Sequence, residues 1–319
     1  EEREWLQKLE PERDNLRAVN TWALEHHEAE FAHRLNGSLF AFWGYRSNAA
    51  EALYWTDAAL GLAAPNPTPA ARRAEAMALN IAAYLAIALG DHSRGREYFE
   101  RALELFMADG DQSEIAAALR GCGYAAMQRG DLAQAQQYTR KSLEVSRAAN
   151  DHSGIAWSLF DLGYLALVRD VLDEARFFLE EAESALREQG NEYGLFRALF
   201  VLAQVMTMQD HGAQARPNFR EALRMQQQMR YVYTTADCLE SFGGLEAAQG
   251  RPIQAVRLFG AAQAHREATG MHRWPHRNRW YEHDVAVARG QITAAAWDAA
   301  WAAGADLTLE EAVAEALAG

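Results

Sequence analysis

The sequence predicts an all-α protein, a right-handed superhelical solenoid in which helical hairpins stack on one another. Three observations predict this fold class. Small residues recur at a constant step of forty residues through the middle of the 319-residue chain. The composition favours helix, because Ala is abundant and only 7 residues are Pro. Runs of Val, Ile and Thr with the alternating pattern of a strand are absent from the sequence.

The repeat is defined by four series of residues that keep the same step and by a turn that keeps it to within one residue. One series is a small residue in the middle of a helix pair, and a second small residue follows it. A leucine with another small residue after it, and a two-residue turn, complete the pattern. The series are Gly95, Ala135, Ala175, Ala215 and Ala255; Ala102, Ser142, Ala182, Ala222 and Ala262; Leu79, Leu119, Leu159, Leu199 and Leu239; Ala83, Gly123, Gly163, Ala203 and Gly243; and Gly90-Asp91, Gly130-Asp131, Arg169-Asp170, Asp210-His211 and Gly250-Arg251.

The pattern within each forty-residue unit predicts one helical hairpin. Apolar residues at helical spacing predict a first helix over residues 113–129 and a second over about 132–149. Gly130 suits the end of the first helix because it tolerates the left-handed conformation, and Asp131 suits the start of the second because it accepts hydrogen bonds from free amides. A single hairpin leaves an apolar face exposed, so the hairpins must come in series.

The segment from Gly123-Tyr124 through Gly130-Asp131 to Ala135 resembles a tetratricopeptide repeat, and so does the segment from Gly163-Tyr164 to Ala175. The chain departs from that family in its repeat length, which is forty residues instead of about 34. It also departs at Arg169-Asp170 and Asp210-His211, which replace the usual glycine turn. The resemblance implies a helical-repeat fold that binds a partner along its inner face.

The ends of the chain carry a second resemblance. Residues 11–18 followed by Trp22-Ala23-Leu24, and residues 258–262 followed by Tyr281, Trp297 and residues 307–312, resemble the C-terminal arm of bacterial STAND-type and LuxR-type ATPase transcriptional regulators. That family implies a sensor and partner-binding arm, with ATPase and DNA-binding domains upstream. Since the chain starts with Glu1 instead of Met, we expect it to be a fragment of a longer protein.

The sequence predicts three segments of one continuous solenoid. Residues 1–69 hold the N-terminal helices and an irregular first hairpin, from Trp43 to Leu60, with a proline-rich link at its end. Residues 70–270 hold five forty-residue repeats, and residues 271–319 form C-terminal capping helices. Thr308 followed by Glu311 is typical of a capping box at the start of the last helix.

The net charge of −13 argues against direct binding to nucleic acid, because an acidic surface repels phosphates. No apolar run is long enough to span a bilayer, and no signal peptide is present. Cys122 and Cys238 fall within apolar helical patterns, which favours two reduced, buried thiols. We therefore expect a cytoplasmic protein without a membrane partner.

The tetratricopeptide resemblance implies that the first helix of each pair lines the concave face. Aromatic rings flanked by arginine on that face suit a peptide, a sugar or a metabolite that bears a carboxylate. Two other interpretations are that the rings are core while the arginines pair with Asp161 or Glu192, and that the face docks a domain of the parent protein. The candidate binding residues are Asn80, Tyr84, Arg120, Tyr124, Trp157, Phe160, Tyr164, Arg197, Phe200 and Gln204.

The remaining motifs do not indicate a nucleotide-binding, metal-binding or catalytic site. Gly121-Cys122-Gly123 lies within a helix, whereas a dinucleotide loop needs glycines at a helix N-terminus. The histidines at 272, 276 and 283 lack the ligand spacing of a zinc site. We interpret the arginines at 266, 273, 277 and 279 as partners of acidic neighbours, with contact to nucleic acid as an alternative. We predict no catalytic residues, no metal and no cofactor.

The sequence favours a non-catalytic sensor arm that binds an effector or a protein partner in the concave groove. The alternative is a stand-alone scaffold that binds the peptide tail of a partner. A hydrolase built on a helical solenoid is a third hypothesis, but no Ser–His–Asp order or paired-acid site supports it.

Overall fold

The computed structural model describes residues 8–9, 11–39, 42, 49–62, 67–229, 234–269, 273 and 275–318. These residues form helices and no strand, which confirms the all-α prediction. Trp43, Pro65 and Asn66 of the proline-rich link, His272 and Trp274 lie outside the described residues. The helices are α1 Arg13–Glu25, α2 Ala29–Ser38, α3 Ala49–Leu60, α4 Pro69–Ala88, α5 His92–Asp109, α6 Gln112–Gln128, α7 Leu132–Ala148, α8 His152–Val168, α9 Leu172–Glu188, α10 Glu192–Met208, α11 Gly212–Met229, α12 Thr235–Ala248, α13 Pro252–Thr269, α14 Pro275–Arg289, α15 Ala294–Ala305 and α16 Leu309–Ala318.

The second helices of the five pairs keep the predicted step of forty residues. They begin at residues 92, 132, 172, 212 and 252. The first helix of the second pair was expected over residues 113–129 and runs from Gln112 to Gln128, so its prediction is confirmed to within one residue. The repeat therefore corresponds to an antiparallel helix pair.

The small residues near the start of the second helices are buried, and at Gly95, Ala135 and Ala255 they touch the first helix of the pair. Ala135 is 1% exposed, and Ala175, Ala215 and Ala255 are fully buried. At Gly95, an added Cβ would come within 2.4 Å of a side-chain carbon of Ile87. Larger side chains at these positions would force the helices apart, so the small residues set the distance within each pair.

The turn between the helices of each pair uses a positive φ. Gly90, Gly130 and Gly250 have φ of 89°, 81° and 73°. Asp170 and Asp210 take the same place without glycine, at 64° and 62°. The sequence departs from glycine in these two repeats, but the backbone conformation is kept. Both aspartates therefore hold a conformation that costs less for glycine.

Side-chain caps begin several helices as the sequence predicts. The Asp131 carboxylate accepts a hydrogen bond from the amide of Gln134 at 3.0 Å. The Glu311 amide donates to the Thr308 hydroxyl at 3.2 Å, and the Thr308 amide donates to the Glu311 carboxylate at 2.8 Å. This reciprocal pair is the predicted capping box, and it satisfies amides that the first turn leaves free.

The chain divides into two compact units, residues 1–165 and 166–319, with the division inside α8. In unit 1, α4 pairs with α5 and α6 pairs with α7, while α2 and α3 pack on α4. Its largest fully buried side chains include Phe42, Phe99 and Phe106. No helix among the described residues is long and apolar enough to cross a membrane.

In unit 2, α9 packs on α10, α10 on α11 and α12 on α13. The three C-terminal helices cover parts of this unit: α14 packs on α12, α15 on α13, and α16 on α11, α12 and α13. The contact of α13 with α15 is backbone to backbone, because an added Cβ at Gly304 would lie 2.0 Å from the carbonyl oxygen of Arg257. The C-terminal segment is therefore an integral part of the unit.

The left-handed turn at Asp210 predicts a stabilising substitution. Asp210→Gly is expected to raise the free energy of unfolding by about 0.5–1 kcal/mol, because glycine adopts a positive φ without a Cβ clash. Urea denaturation followed by circular dichroism measures the change. The matched control is Asp306→Gly, since Asp306 ends α15 at φ −78° and gains nothing from glycine. A loss of stability in both variants would contradict the expectation.

Candidate functional site

Aromatic side chains lie along the first helices of unit 1. Tyr84 belongs to α4, Tyr124 to α6, and Trp157 and Tyr164 to α8, and all four are partly buried. The rings of Tyr84 and Tyr124 lie 5.8 Å apart, so successive repeats bring equivalent rings together. Because each ring keeps an accessible part, these four residues form a surface on which a partner can pack. We call them the aromatic face.

Arg120 holds Trp157 in place at this face. Its Nε donates to the Asp161 carboxylate at 2.9 Å, and its guanidinium lies 5.4 Å from the centre of the Trp157 ring. The interpretation that pairs an arginine with Asp161 is therefore confirmed for Arg120. Since its charge is already matched, we assign Arg120 a positioning role at the aromatic face.

Phe160 lies beneath the aromatic face. It is 1% exposed, so it belongs to the core and offers no surface to a ligand. The Trp157 ring meets it edge-on at 5.8 Å, and the Tyr164 ring stacks on it at 6.2 Å. Phe160 therefore supports the two rings from below.

Asn80 adds a polar group one helical turn before Tyr84. Its side chain is half-buried, and its Oδ1 is shielded from solvent without a hydrogen-bond donor among the described residues. A shielded acceptor without a donor costs free energy.

The equivalent face in unit 2 is covered by the C-terminal helix α14. Phe200 is 5% exposed, and the guanidinium of Arg277 lies 5.4 Å from its ring centre. Arg197 lies 5.9 Å from the ring of Tyr193. Gln204 is 6% exposed and borders a cavity beside α14. These positions were predicted to line an open groove, because no pattern in the sequence indicates that α14 packs here.

Arginines and acids form a buried network on this covered face. Arg266 bonds to Glu240 at 3.0 Å and also to Asp237. Arg273 meets Glu240 at 2.6 Å, and Arg277 meets Asp237 at 3.4 Å. All five side chains are at most 15% exposed. The interpretation as partners of acidic neighbours is thus confirmed for Arg266, Arg273 and Arg277, and this network anchors α14 and the segment before it. Arg279 instead donates to the carbonyl oxygen of Val168.

The cysteines and histidines show no reactive arrangement in the described part of the chain. Both thiols are buried, and burial raises the pKa of Cys122 to about 12 and also raises that of Cys238. His33 is 2% exposed and bonds to the carbonyl oxygen of Ala59, and burial lowers its pKa. The described residues bring together no group of three or more His, Cys, Asp or Glu that could hold a metal ion.

The chain matches no family model and no curated protein. Solved structures do match it. The Rap conjugation gene regulator of plasmid pLS20, in complex with the Phr* peptide, has 13% identity and a TM-score of 0.59, covering 81% of this chain and 73% of its own. A Rap protein complexed with competence and sporulation factor has 14% identity and a TM-score of 0.56, covering 88% and 77%.

A tetratricopeptide repeat protein from Parabacteroides merdae has 18% identity and a TM-score of 0.51, covering 90% of this chain and 98% of its own. At such low identity these likenesses show the fold alone. They confirm that the chain has a helical-repeat fold of the tetratricopeptide type. The resemblance to a STAND-type regulator stays a prediction.

The buried network predicts that two arginines of unit 2 contribute very different amounts to the free energy of unfolding. Arg266→Leu leaves Glu240 and Asp237 with less compensating charge, and the free energy of unfolding is expected to fall by about 3–5 kcal/mol. The control is Arg187→Leu, because Arg187 pairs with Glu183 and Glu221 while its side chain is 48% exposed. Arg187→Leu is expected to lower the free energy of unfolding by about 0–1 kcal/mol. Urea titration of both variants tests the difference, and equal losses would argue against a dominant buried network.

Proposed function

We propose that the chain is a non-catalytic binding arm that holds a peptide or protein partner on the aromatic face of unit 1. The observation that carries the proposal is the row of partly exposed rings at Tyr84, Tyr124, Trp157 and Tyr164. Rings of this kind supply large contact area at low entropic cost, and they dominate many binding interfaces.

A peptide fits the chemistry of this face. Its apolar and aromatic side chains can pack on the rings, while its polar backbone groups stay in contact with water on the outer side. Tyr84 and Tyr124 sit on successive repeats, and Trp157 and Tyr164 follow on the next first helix. An extended segment can therefore contact several repeats at once.

Two comparisons support a peptide or protein as the partner. One of the similar solved structures holds the Phr* peptide, and another holds competence and sporulation factor. The likeness in fold makes a comparable use of the helical repeats reasonable for this chain. Its binding residues have to be tested directly, because identity to those proteins is only 13% and 14%.

We further propose that this binding arm belongs to a STAND-type transcriptional regulator, in which partner or effector binding shifts an upstream ATPase between resting and active states. The alternative is a stand-alone scaffold for a partner peptide. The coding sequence upstream of Glu1 separates these hypotheses. A nucleotide-binding loop in frame supports the regulator, and an initiator methionine directly before Glu1 supports the scaffold.

Selection from a displayed library of random peptides tests the binding surface. Peptides that bind the 319-residue chain are expected to lose affinity about tenfold or more for Tyr124→Ala and for Trp157→Ala, because each change removes a ring from the contact. Fluorescence anisotropy with labelled peptides measures the dissociation constants, and thermal melts show that the variants fold.

The control is Tyr54→Ala, which removes a tyrosine that is 62% exposed on α3, a helix of the same unit that contributes no ring to the aromatic face. The selected peptides should bind this variant as they bind the unchanged chain. The proposal fails if Trp157→Ala lowers the melting temperature while peptide affinity stays the same, because the rings would then serve the core only.

A further inference from the structure

Two aromatic rings lie on the outer surface of the helices that precede the repeats in unit 1. Trp22 of α1 is 46% exposed, and Phe31 of α2 is 44% exposed. The two rings meet edge-on with their centres 6.0 Å apart, so they form one apolar surface across both helices. Val19 lies one turn before Trp22 and is exposed, and Leu35 lies one turn after Phe31 and is half-buried. We call these four residues the N-terminal patch.

The outward face of α2 forms a continuous surface. The inward face of this helix is buried against the rest of the unit and carries Ala29, Ala32, His33, Asn36 and Gly37. The opposite face borders an open groove of about 630 Å³, which is lined by Glu28, Glu30, Phe31, Arg34, Leu35 and Ser38. Since all of these residues lie on α2 or at its N-cap, the groove suits a second helix that packs along α2.

The composition of the N-terminal patch is typical of a protein interface. Tryptophan and phenylalanine are enriched where proteins meet, and rings exposed side by side favour a covered surface. The outer face of a terminal unit in a helical-repeat protein is normally polar, because nothing packs on it. Trp22 and Phe31 depart from that rule, so the patch needs a partner that covers it.

Two charged residues of the groove are available to such a partner. Glu30 and Arg34 are four residues apart, so they share one flank of α2. Opposite charges at this spacing often pair, but these two side chains form no ion pair with each other or with any other residue that the structure describes. Arg34 is exposed, and its charge is free to meet an acid on another molecule.

The outward face of α2 is complementary to itself when the helix is reversed. A two-fold axis level with Ala32 and His33 would place Glu30 opposite Arg34 of a second copy, and Arg34 opposite Glu30 of that copy. The same axis would place Phe31 opposite Leu35 of the second copy. The charged row and the apolar row therefore match in one register. A parallel arrangement would instead place Glu30 opposite Glu30, which is unfavourable.

We propose that the N-terminal patch is the interface of a homodimer in which the α2 helices of two copies pack antiparallel across a two-fold axis. The rings of Trp22 and Phe31 supply the apolar contact, and two Glu30–Arg34 ion pairs beside them set the register. The net charge of −13 on each copy does not prevent this association, because salt screens charges that lie more than about 10 Å apart at 0.1 M ionic strength.

Sedimentation velocity of the 319-residue chain between about 1 and about 100 μM tests the dimer. The particle mass is expected to rise towards twice that of the chain as the concentration increases. Phe31→Ser should raise the dissociation constant of the dimer about tenfold or more, because it removes a ring from the contact. A chain that stays monomeric throughout this range would overturn the proposal and leave the patch to a partner of different sequence.

The matched control is Phe177→Ser on α9 of unit 2, where the phenylalanine is 59% exposed. This variant removes an exposed ring of the same kind outside the N-terminal patch, so the dimer should form as in the unchanged chain. Equal weakening by Phe177→Ser and Phe31→Ser would argue against the patch as the interface. Thermal melts should show that both variants fold, since both rings are exposed.

Charge reversal tests the antiparallel arrangement. Glu30→Arg would face Arg34 of the second copy with a like charge, and Arg34→Glu would face Glu30 in the same way. Each variant alone should dissociate about tenfold more readily than the unchanged chain, whereas an equimolar mixture of the two should form a heterodimer with both ion pairs restored. Single variants that dimerise like the unchanged chain, or a mixture that stays monomeric, would contradict this arrangement.

The dimer and the peptide proposal can fail separately. Tyr124→Ala changes the aromatic face and should leave the dissociation constant of the dimer unchanged. Phe31→Ser should likewise leave the affinity for the selected peptides unchanged. A dimer lost in Tyr124→Ala and kept in Phe31→Ser would overturn the assignment to the N-terminal patch.

Discussion

The close approach of helices at small residues is the constraint on which this structure depends. Ala175, Ala215 and Ala255 are fully buried at the midpoints of their helix pairs, and Gly95 leaves no room for a Cβ. A pair that packs this closely still cannot cover its own outer apolar face. Each hairpin therefore needs a neighbour. The step of forty residues, the turns with positive φ and the matching rings of successive repeats all follow from that need.

The two units use their first helices differently. In unit 1 the rings of Tyr84, Tyr124, Trp157 and Tyr164 remain partly exposed, with Phe160 buried beneath them. In unit 2 the helix α14 covers the corresponding positions, and Phe200 lies under the guanidinium of Arg277. The first arrangement suits an extended partner, and the second leaves only a small polar cavity. The same helical repeat thus presents partly exposed rings in unit 1 and covered positions in unit 2.

Buried charge has two distinct effects in unit 2. Where Arg266 meets Asp237 and Glu240, opposite charges satisfy one another and fix the position of the C-terminal segment. Asp284 lies nearby without a partner among the described residues, and burial holds its pKa at about 7. Satisfied charge contributes to a specific structure, whereas unsatisfied charge lowers stability.

The sequence by itself determined the all-α class, the forty-residue hairpin, the turn at Gly130-Asp131 and the capping box at Thr308, because these features depend on local backbone preferences and on periodic burial. In one of three interpretations it also indicated that an arginine of this face pairs with Asp161. Tertiary structure alone decided that Phe160 is core, that α14 covers Phe200, and that Gln204, Trp280 and Asp284 meet at one cavity. Those outcomes depend on contacts between residues far apart in the chain, such as Asp284 with Gly244. No local sequence pattern predicts such contacts. A glycine that makes room for a carboxylate looks the same in the sequence as a glycine that makes room for a neighbouring helix.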